Sequence, residues 1–351
     1  MPLNVNGGRI PPVWAAKKHP RPAKANGFDS TDKCIDIAFI NNMPDAALED
    51  TELQFFELLN AASGDLPVRI KLFSLPNIPR GDRGNEHLNN FYFGLEDLWD
   101  GSFDAMIMTG TEPRQPNLRD EPYWPALADV LNWAEQNTTS TVLSCLAAHA
   151  GVLHSDGIRR HLLNDKQSGV FRYKKTCDHT LTSGLPDHVS NPHSRWNEVR
   201  EDALIASGYL VLTKSEDAGV DLFVKKKGKS LFVHFQGHPE YGAYTLLKEY
   251  RRDIKRFIRR EREAYPSMPR GYFDATLSKL LADFQEKVTI DPKEELMLDF
   301  PEAAIMDSLK NSWHSSATSM YRNWLQYLMA NKSGALIHSA GRDRSTIHAG
   351  Q

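Results

Sequence analysis

Thr141-Val142-Leu143-Ser144-Cys145-Leu146-Ala147-Ala148-His149-Ala150-Gly151 reads as a strand, a tight turn and a helix. The apolar, partly β-branched run ends at Ser144, and small helix-forming residues begin directly after Cys145. A side chain at such a turn leaves the carboxyl end of a strand. The unpaired amides of the following helix then favour negative charge beside it. Cys145 is therefore a candidate nucleophile, and the N–H of Leu146 a candidate oxyanion donor. The competing reading is a small buried apolar residue, the ordinary fate of a free cysteine.

Upstream, the same alternation recurs. A buried strand is expected over 35–40, a helix over 48–60 and a strand over 68–75, followed by a strand over 105–109, a helix over 124–135 opened by Pro125, and the strand over 141–144. Apolar strands alternating with helices predict an α/β fold with a mostly parallel sheet covered by helices on both faces and a site at the carboxyl ends of the strands. The second half carries β signals over 210–212, 220–224 and 230–235, then a charged amphipathic helix over 245–263. Residues 1–33 are rich in Pro, Gly, Lys and Asn without apolar periodicity and read as a loosely held arm. Residues 34–330 read as the enzymatic domain, and the polar stretch 331–351 as a tail that frays.

A second motif, Gly237-His238-Pro239-Glu240-Tyr241, follows the β-type run 231–235, so its imidazole and carboxylate also emerge at a strand end. A carboxylate two residues beyond a histidine can accept the Nδ1–H, fix the tautomer and leave Nε2 to act on a thiol. Cys145, His238 and Glu240 then form a complete nucleophilic triad. The alternatives are a structural histidine beside a Pro turn and a solvated loop carboxylate.

Composition sets bounds. The chain has 351 residues, a formal net charge of −3 and three cysteines. Near-balanced charge argues against a nucleic-acid or anionic-membrane partner, and the Lys225–Lys229 run reads as a solvated hairpin turn. An odd number of scattered cysteines without ligand spacing fits a reducing compartment and implies no metal. No segment suits a membrane span or a signal peptide, so a cytoplasmic protein is expected.

The motifs resemble, in order, those of the homoserine O-acyltransferases (homoserine O-succinyltransferases). The resemblance runs from about residue 35 to 328, through Asn41-Asn42-Met43-Pro44, Glu86-His87-Leu88-Asn89-Asn90-Phe91-Tyr92, Tyr123-Trp124-Pro125, Ser168-Gly169-Val170-Phe171, Pro192-His193-Ser194-Arg195, the His-Pro-Glu motif and Asn323-Trp324-Leu325. It implies a class I glutamine amidotransferase-like (flavodoxin-like) fold, a homodimer, and ping-pong acyl transfer from acyl-CoA, as co-substrate, to homoserine through an acyl-Cys145 enzyme in methionine biosynthesis. No bound cofactor is implied. By position it also implies substrate contacts from Lys166, Ser194 and Arg252. A guanidinium can pair with an amino-acid carboxylate, an ammonium can bind an anion, and a hydroxyl can donate or accept.

The chain also departs from the family pattern. After Pro44 the family carries a lysine, whereas this chain reads Asp45-Ala46-Ala47-Leu48-Glu49-Asp50, apparently lengthened and acidic. Leu146 replaces a common Trp, and His149 stands where the family has glutamine; it is either a second proton-active group or a packed histidine. The position that distinguishes acyl donors falls on Arg114, whose guanidinium suits a succinyl carboxylate, with Glu112 beside it as the alternative. A hydroxy amino acid such as serine as acceptor, a glutamine-hydrolysing amidohydrolase and a non-catalytic relative are the competing functions.

Overall fold

Strands apolar on both faces are stable only when both faces are covered. The computed structural model, which describes residues 3–17 and 34–343, has this arrangement. Its strands are β1 (Leu3–Val5), β2 (Ile35–Ile40), β3 (Val68–Phe73), β4 (Ala105–Met108), β5 (Ser140–Ser144), β6 (His161–Lys175), β7 (His188–Glu198), β8 (Leu210–Val211), β9 (Thr213–Ser215), β10 (Gly219–Val220), β11 (Leu222–Lys227) and β12 (Ser230–Phe235). The main sheet runs β1-β3-β2-β4-β5-β12-β11-β8. All its pairs from β1 to β12 are parallel, and only β11, antiparallel to both β12 and β8, breaks the pattern.

Period-two alternation decides which helix covers which face. Ile37, Phe39, Ile70, Leu72, Ile107 and Val142 point to one side, where they pack with Phe55, Phe56 and Leu59 of the helix Asp45–Ser63 and Tyr321, Trp324 and Leu328 of the helix His314–Asp343. Ala38, Ile40, Phe73, Met106, Met108 and Leu143 point to the other, against Leu127, Val130 and Leu131 of the helix Trp124–Asn137 and Ala147 and Ala150 of the helix Leu146–Asp156. Phe39, Phe55 and Phe56 are wholly buried. Each such side chain contributes about 1.5–3 kcal/mol through the water it sheds.

A second, antiparallel sheet, β10-β9-β6-β7, lies beside the first and carries Lys166 and Ser194 on neighbouring strands. The helices Thr245–Ile258, Ala275–Ile290 and Glu302–Ser308 share a separate core that includes Tyr250, Leu281 and Trp313. The Trp313 indole N–H donates to the Tyr241 carbonyl at 2.8 Å, which ties that core to the His-Pro-Glu loop.

The Asn-Asn-Met-Pro and Glu-His-Leu-Asn-Asn-Phe-Tyr motifs meet in a buried network. Glu52 accepts from His87 Nε2 at 2.7 Å and from the Tyr92 hydroxyl at 2.6 Å, and Asn41 Nδ2 donates to Tyr92 at 3.0 Å. Burial pulls the His87 pKa down, but Glu52 outweighs it and the pKa is raised above the usual histidine value. These two motifs therefore fix the lip 41–44 of the cleft described below.

Several elements differ from expectation. Residues 3–17 do not form a loose arm: β1 pairs in parallel with β3, Leu3, Val5 and Trp14 are buried, and Asn6 is bonded to both Leu72 and Phe91. Short apolar pieces among Pro and Gly suffice to extend a sheet edge. Residues 1–2 and 18–33 lie outside the described part. The C-terminal helix continues through 331 to Asp343, so that part of the expected tail is helical, and 344–351 lie outside the description. The helix expected over 245–263 stops at Ile258, and Arg260 follows with a φ of 60°. Among the described residues no helix is long and apolar enough to cross a membrane.

Candidate active site

Cys145 sits at the junction of β5 and the helix Leu146–Asp156 with φ 53° and ψ −112°, a conformation that only glycine adopts without strain. Such a backbone costs on the order of 1–3 kcal/mol and persists only where its surroundings enforce it. Here the Cys145 N–H donates to the Phe235 carbonyl at 2.8 Å, and the Cys145 carbonyl accepts from Ala148 and His149 at 3.0 and 3.3 Å. The turn lifts the half-buried thiol into a cleft of about 710 Å³.

His238 and Glu240 face the thiol in the same cleft. The His238 Nδ1–H donates to Glu240 Oε1 at 2.9 Å, which leaves Nε2 as the ring nitrogen free to serve Cys145 in the same cleft. Glu240 Oε1 also accepts from the Ser144 hydroxyl at 3.1 Å, and the Tyr241 ring stacks on the imidazole with centroids 4.1 Å apart. Burial alone would lower the His238 pKa. The thiol and Glu240 outweigh it, and the ring is held well above the ordinary histidine value.

The amide of Leu146 makes no hydrogen bond among the described residues. Gly110 packs directly over it: a Cβ there would lie 2.6 Å from Leu146 Cβ and 3.0 Å from its nitrogen, so the close approach of the 109–111 loop needs glycine. The Asn42 and Met43 amides are already engaged, the first with Thr109 Oγ1 at 2.8 Å and the second with Asn41 Oδ1 at 3.2 Å.

In the same cleft the three residues implied as substrate contacts come together around two carboxylates. Lys166 Nζ lies 2.8 Å from Asp253 and 3.5 Å from Glu249, Arg252 donates to Asp253 at 3.2 Å, and the Ser194 hydroxyl donates to Glu249. Tyr241 adds a hydrogen bond to Glu249 at 2.7 Å. Burial would raise the Glu249 pKa, but Lys166, Ser194, Tyr241 and Arg252 together hold it below the usual carboxylate value. Sequence reading missed Glu249 and Asp253. The available signal was Thr245, Glu249 and Asp253 at four-residue spacing, a polar stripe beside the apolar one on the same helix.

Arg114 is not at the site. Glu121 Oε1 takes the backbone amides of Arg114 and Gln115 at 2.5 and 2.7 Å, which turns the loop so that the Arg114 side chain is exposed and outside the cleft lining. Glu112 lines the cleft instead, 3.8 Å from Arg256. Ala46 and Ala47 occupy the lip where a cation was missing. Asp45 faces away, held by Arg80 at 3.2 Å and the Gly81 amide at 2.7 Å. His149 is a packed histidine: it is buried, bonded to Gln236 at 2.9 Å, and desolvation lowers its pKa to about 3. Lys225 and Lys227 pair with Asp156 at 2.7 and 3.5 Å. Among the described residues no group of three or more His, Cys, Asp or Glu is arranged to hold a metal ion.

A thiol at a strained elbow, a buried imidazole–carboxylate pair and an unpaired amide suit acyl transfer through a covalent intermediate. The family model described as homoserine O-succinyltransferase matches residues 23–335. The homoserine O-succinyltransferase of Rhodopseudomonas palustris is 44% identical over 84% of this chain and 88% of its own. That of Bradyrhizobium japonicum is 42% identical over 84% and 90%. Among solved structures, a glutamine amidotransferase from Methylobacillus flagellatus aligns over 84% of this chain and 95% of its own with 14% identity and a TM-score of 0.46.

Proposed function

This chain belongs to the homoserine O-succinyltransferase family and is thus an acyltransferase, and from that premise we propose that it moves a succinyl group from succinyl-CoA to the hydroxyl of homoserine through an acyl-Cys145 enzyme. The observation that carries the proposal is the Glu240–His238 hydrogen bond in the cleft into which the strained turn sets Cys145.

In the first half-reaction the Cys145 sulfur attacks the thioester carbonyl, and the electron pair displaced onto oxygen is met by the Leu146 amide and a second donor from the 109–111 loop. Collapse breaks the bond to the coenzyme A sulfur, which leaves with the proton that His238 holds. A thioester replaces a thioester, so the intermediate forms at little thermodynamic cost. In the second half-reaction the acceptor hydroxyl gives its proton to His238 and its oxygen attacks the acyl carbon. The Cys145 sulfur leaves as the ester forms. Glu240 keeps Nδ1 protonated throughout, which presents Nε2 to the reacting atoms. Lys166, Ser194 and Arg252 bind the charged ends of the substrates.

The same reading includes a homodimer, a cytoplasmic location and a place in methionine synthesis, with coenzyme A passing through as co-substrate and no resident cofactor. Steady-state kinetics test it. Parallel double-reciprocal lines for succinyl-CoA against homoserine are expected, with acetyl-CoA and serine poorer in their places. Glutamine hydrolysis without any CoA thioester would instead favour the amidohydrolase reading.

A further inference from the structure

The chain passes between the two sheets at Leu212 and at a buried carboxylate, Asp221. Asp221 is the single residue between β10, the edge of the second sheet, and β11 of the main sheet, and it is only 2% exposed. Its Oδ1 accepts from the Gly237 amide at 2.8 Å, and its Oδ2 accepts from Asn191 Nδ2, on β7, at 2.7 Å. Its own carbonyl accepts from the Gln236 amide at 3.0 Å. One residue thus pins both positions that precede His238 and joins them to the strand that carries Ser194.

The neighbouring groups complete the clamp. The His238 amide donates to the Pro192 carbonyl at 2.8 Å. His193 lies beneath, with Nδ1 accepting from Arg195 at 3.2 Å and Nε2 at 2.6 Å from the Tyr173 hydroxyl and 3.5 Å from Asp221. Since an arginine can only donate, the neutral ring carries its proton on Nε2, toward Tyr173 and Asp221. A Cβ at Gly237 would stand 2.5 Å from His193 Nε2 and 2.6 Å from Asn191 Nδ2, so the loop has no room to shift toward β7. Burial raises the Asp221 carboxyl to about 6 against the hydrogen bonds from Gly237 and Asn191 and the charge of Arg195, so at neutral pH the two donors hold a carboxylate.

We infer that Asp221 is a positioning residue that sets His238 in register with the substrate-binding sheet, so that the proton relay faces the same bound molecule as Lys166 and Ser194. This inference rests on the relay assigned above. It goes beyond the triad, because Asp221 touches neither the thiol nor His238 through its side chain.

The test compares Asp221→Ala, Asp221→Asn and Asn191→Ala. Asp221→Ala is expected to lower kcat about a hundredfold, the effect of a displacement near 1 Å, with KM for succinyl-CoA within about twofold. Alkylation of Cys145 by iodoacetamide, which depends on a correctly placed His238 but needs no substrate, slows with it. Asp221→Asn recovers most of the lost kcat, because its oxygen still accepts from Gly237, and Asn191, whose Oδ1 has no partner, can turn that oxygen toward the new amide. A folded Asp221→Ala enzyme with wild-type kcat and alkylation rate overturns the inference. Should Asp221→Ala fail to fold, Asn191→Ala decides: it removes only the second-sheet side of the link, and a wild-type kcat there is equally fatal. If the wild-type protein transfers no acyl group from succinyl-CoA, the proposed function falls while the alkylation comparison still reads the positioning.

Discussion

Ser144 and His238 donate to the same oxygen of Glu240, at 3.1 and 2.9 Å, so the residue preceding Cys145 and the imidazole that shares its cleft are held by one carboxylate. The strand ends of β5 and β12 are thereby locked together where the chemistry is proposed. Because Ser144 keeps one hydrogen bond on Glu240 whatever the imidazole does, the carboxylate is fixed independently of the base it orients.

Loss of the base and loss of its orienting carboxylate should therefore differ. His238→Ala is expected to lower kcat about a thousandfold, within the range of general acid–base catalysis. Glu240→Gln, which still accepts from Nδ1 and Ser144, should cost much less. Stopped-flow release of coenzyme A from succinyl-CoA measures both, and equal losses would contradict the assigned roles.

The elbow trades stability for function. Cys145→Gly is expected to abolish transfer yet raise the unfolding free energy by about 1 kcal/mol, since glycine adopts φ 53° without strain. Cys145→Ala should be equally inactive without that gain. Thermal unfolding of the two variants side by side checks this, and an identical Tm would show that the backbone there carries no strain.

Donor choice should follow Glu112. Arg114→Gly is expected to leave the succinyl-to-acetyl ratio unchanged, because its side chain is exposed outside the cleft. Glu112→Gln leaves Arg256 without its nearest carboxylate and should raise the preference for succinyl-CoA severalfold. Ratios of kcat/KM for the two donors decide. A shift in the Arg114 variant alone would reverse the assignment.

The His87–Glu52 pair predicts a pH-dependent stability. The folded-state pKa of His87 is raised, so the folded protein binds the proton more tightly than the unfolded chain does. The contribution is complete below the unfolded value of about 6.5 and is lost as pH rises through the higher folded value. His87→Gln should therefore lower Tm more at pH 6 than at pH 9. The same deficit at both values would show that His87 is neutral in the folded protein.

The parts legible in sequence were those that travel with their local context. Cys145, His238 and Glu240 each stand at the end of an apolar strand, and the period-two and turn signals around them are contained within a few residues. Glu249 and Asp253 were not legible, because what marks them is contact with Lys166, more than 80 residues away in the chain. Arg114 was misplaced for a related reason: its loop is turned by Glu121, whose carboxylate takes two backbone amides that no spacing rule reveals. The strand Leu3–Val5 escaped because three residues beside Gly and Pro carry no period of their own. They acquire one only by pairing with β3.

The proposed mechanism turns on the covalent intermediate, and intact-protein mass spectrometry reads it directly. The purified enzyme is mixed with succinyl-CoA and then chased with homoserine. A mass gain of one succinyl group on Cys145 is expected, absent in Cys145→Ala and discharged by homoserine but not by serine. Full turnover by wild-type protein with no adduct at any time, or by Cys145→Ala, would contradict it.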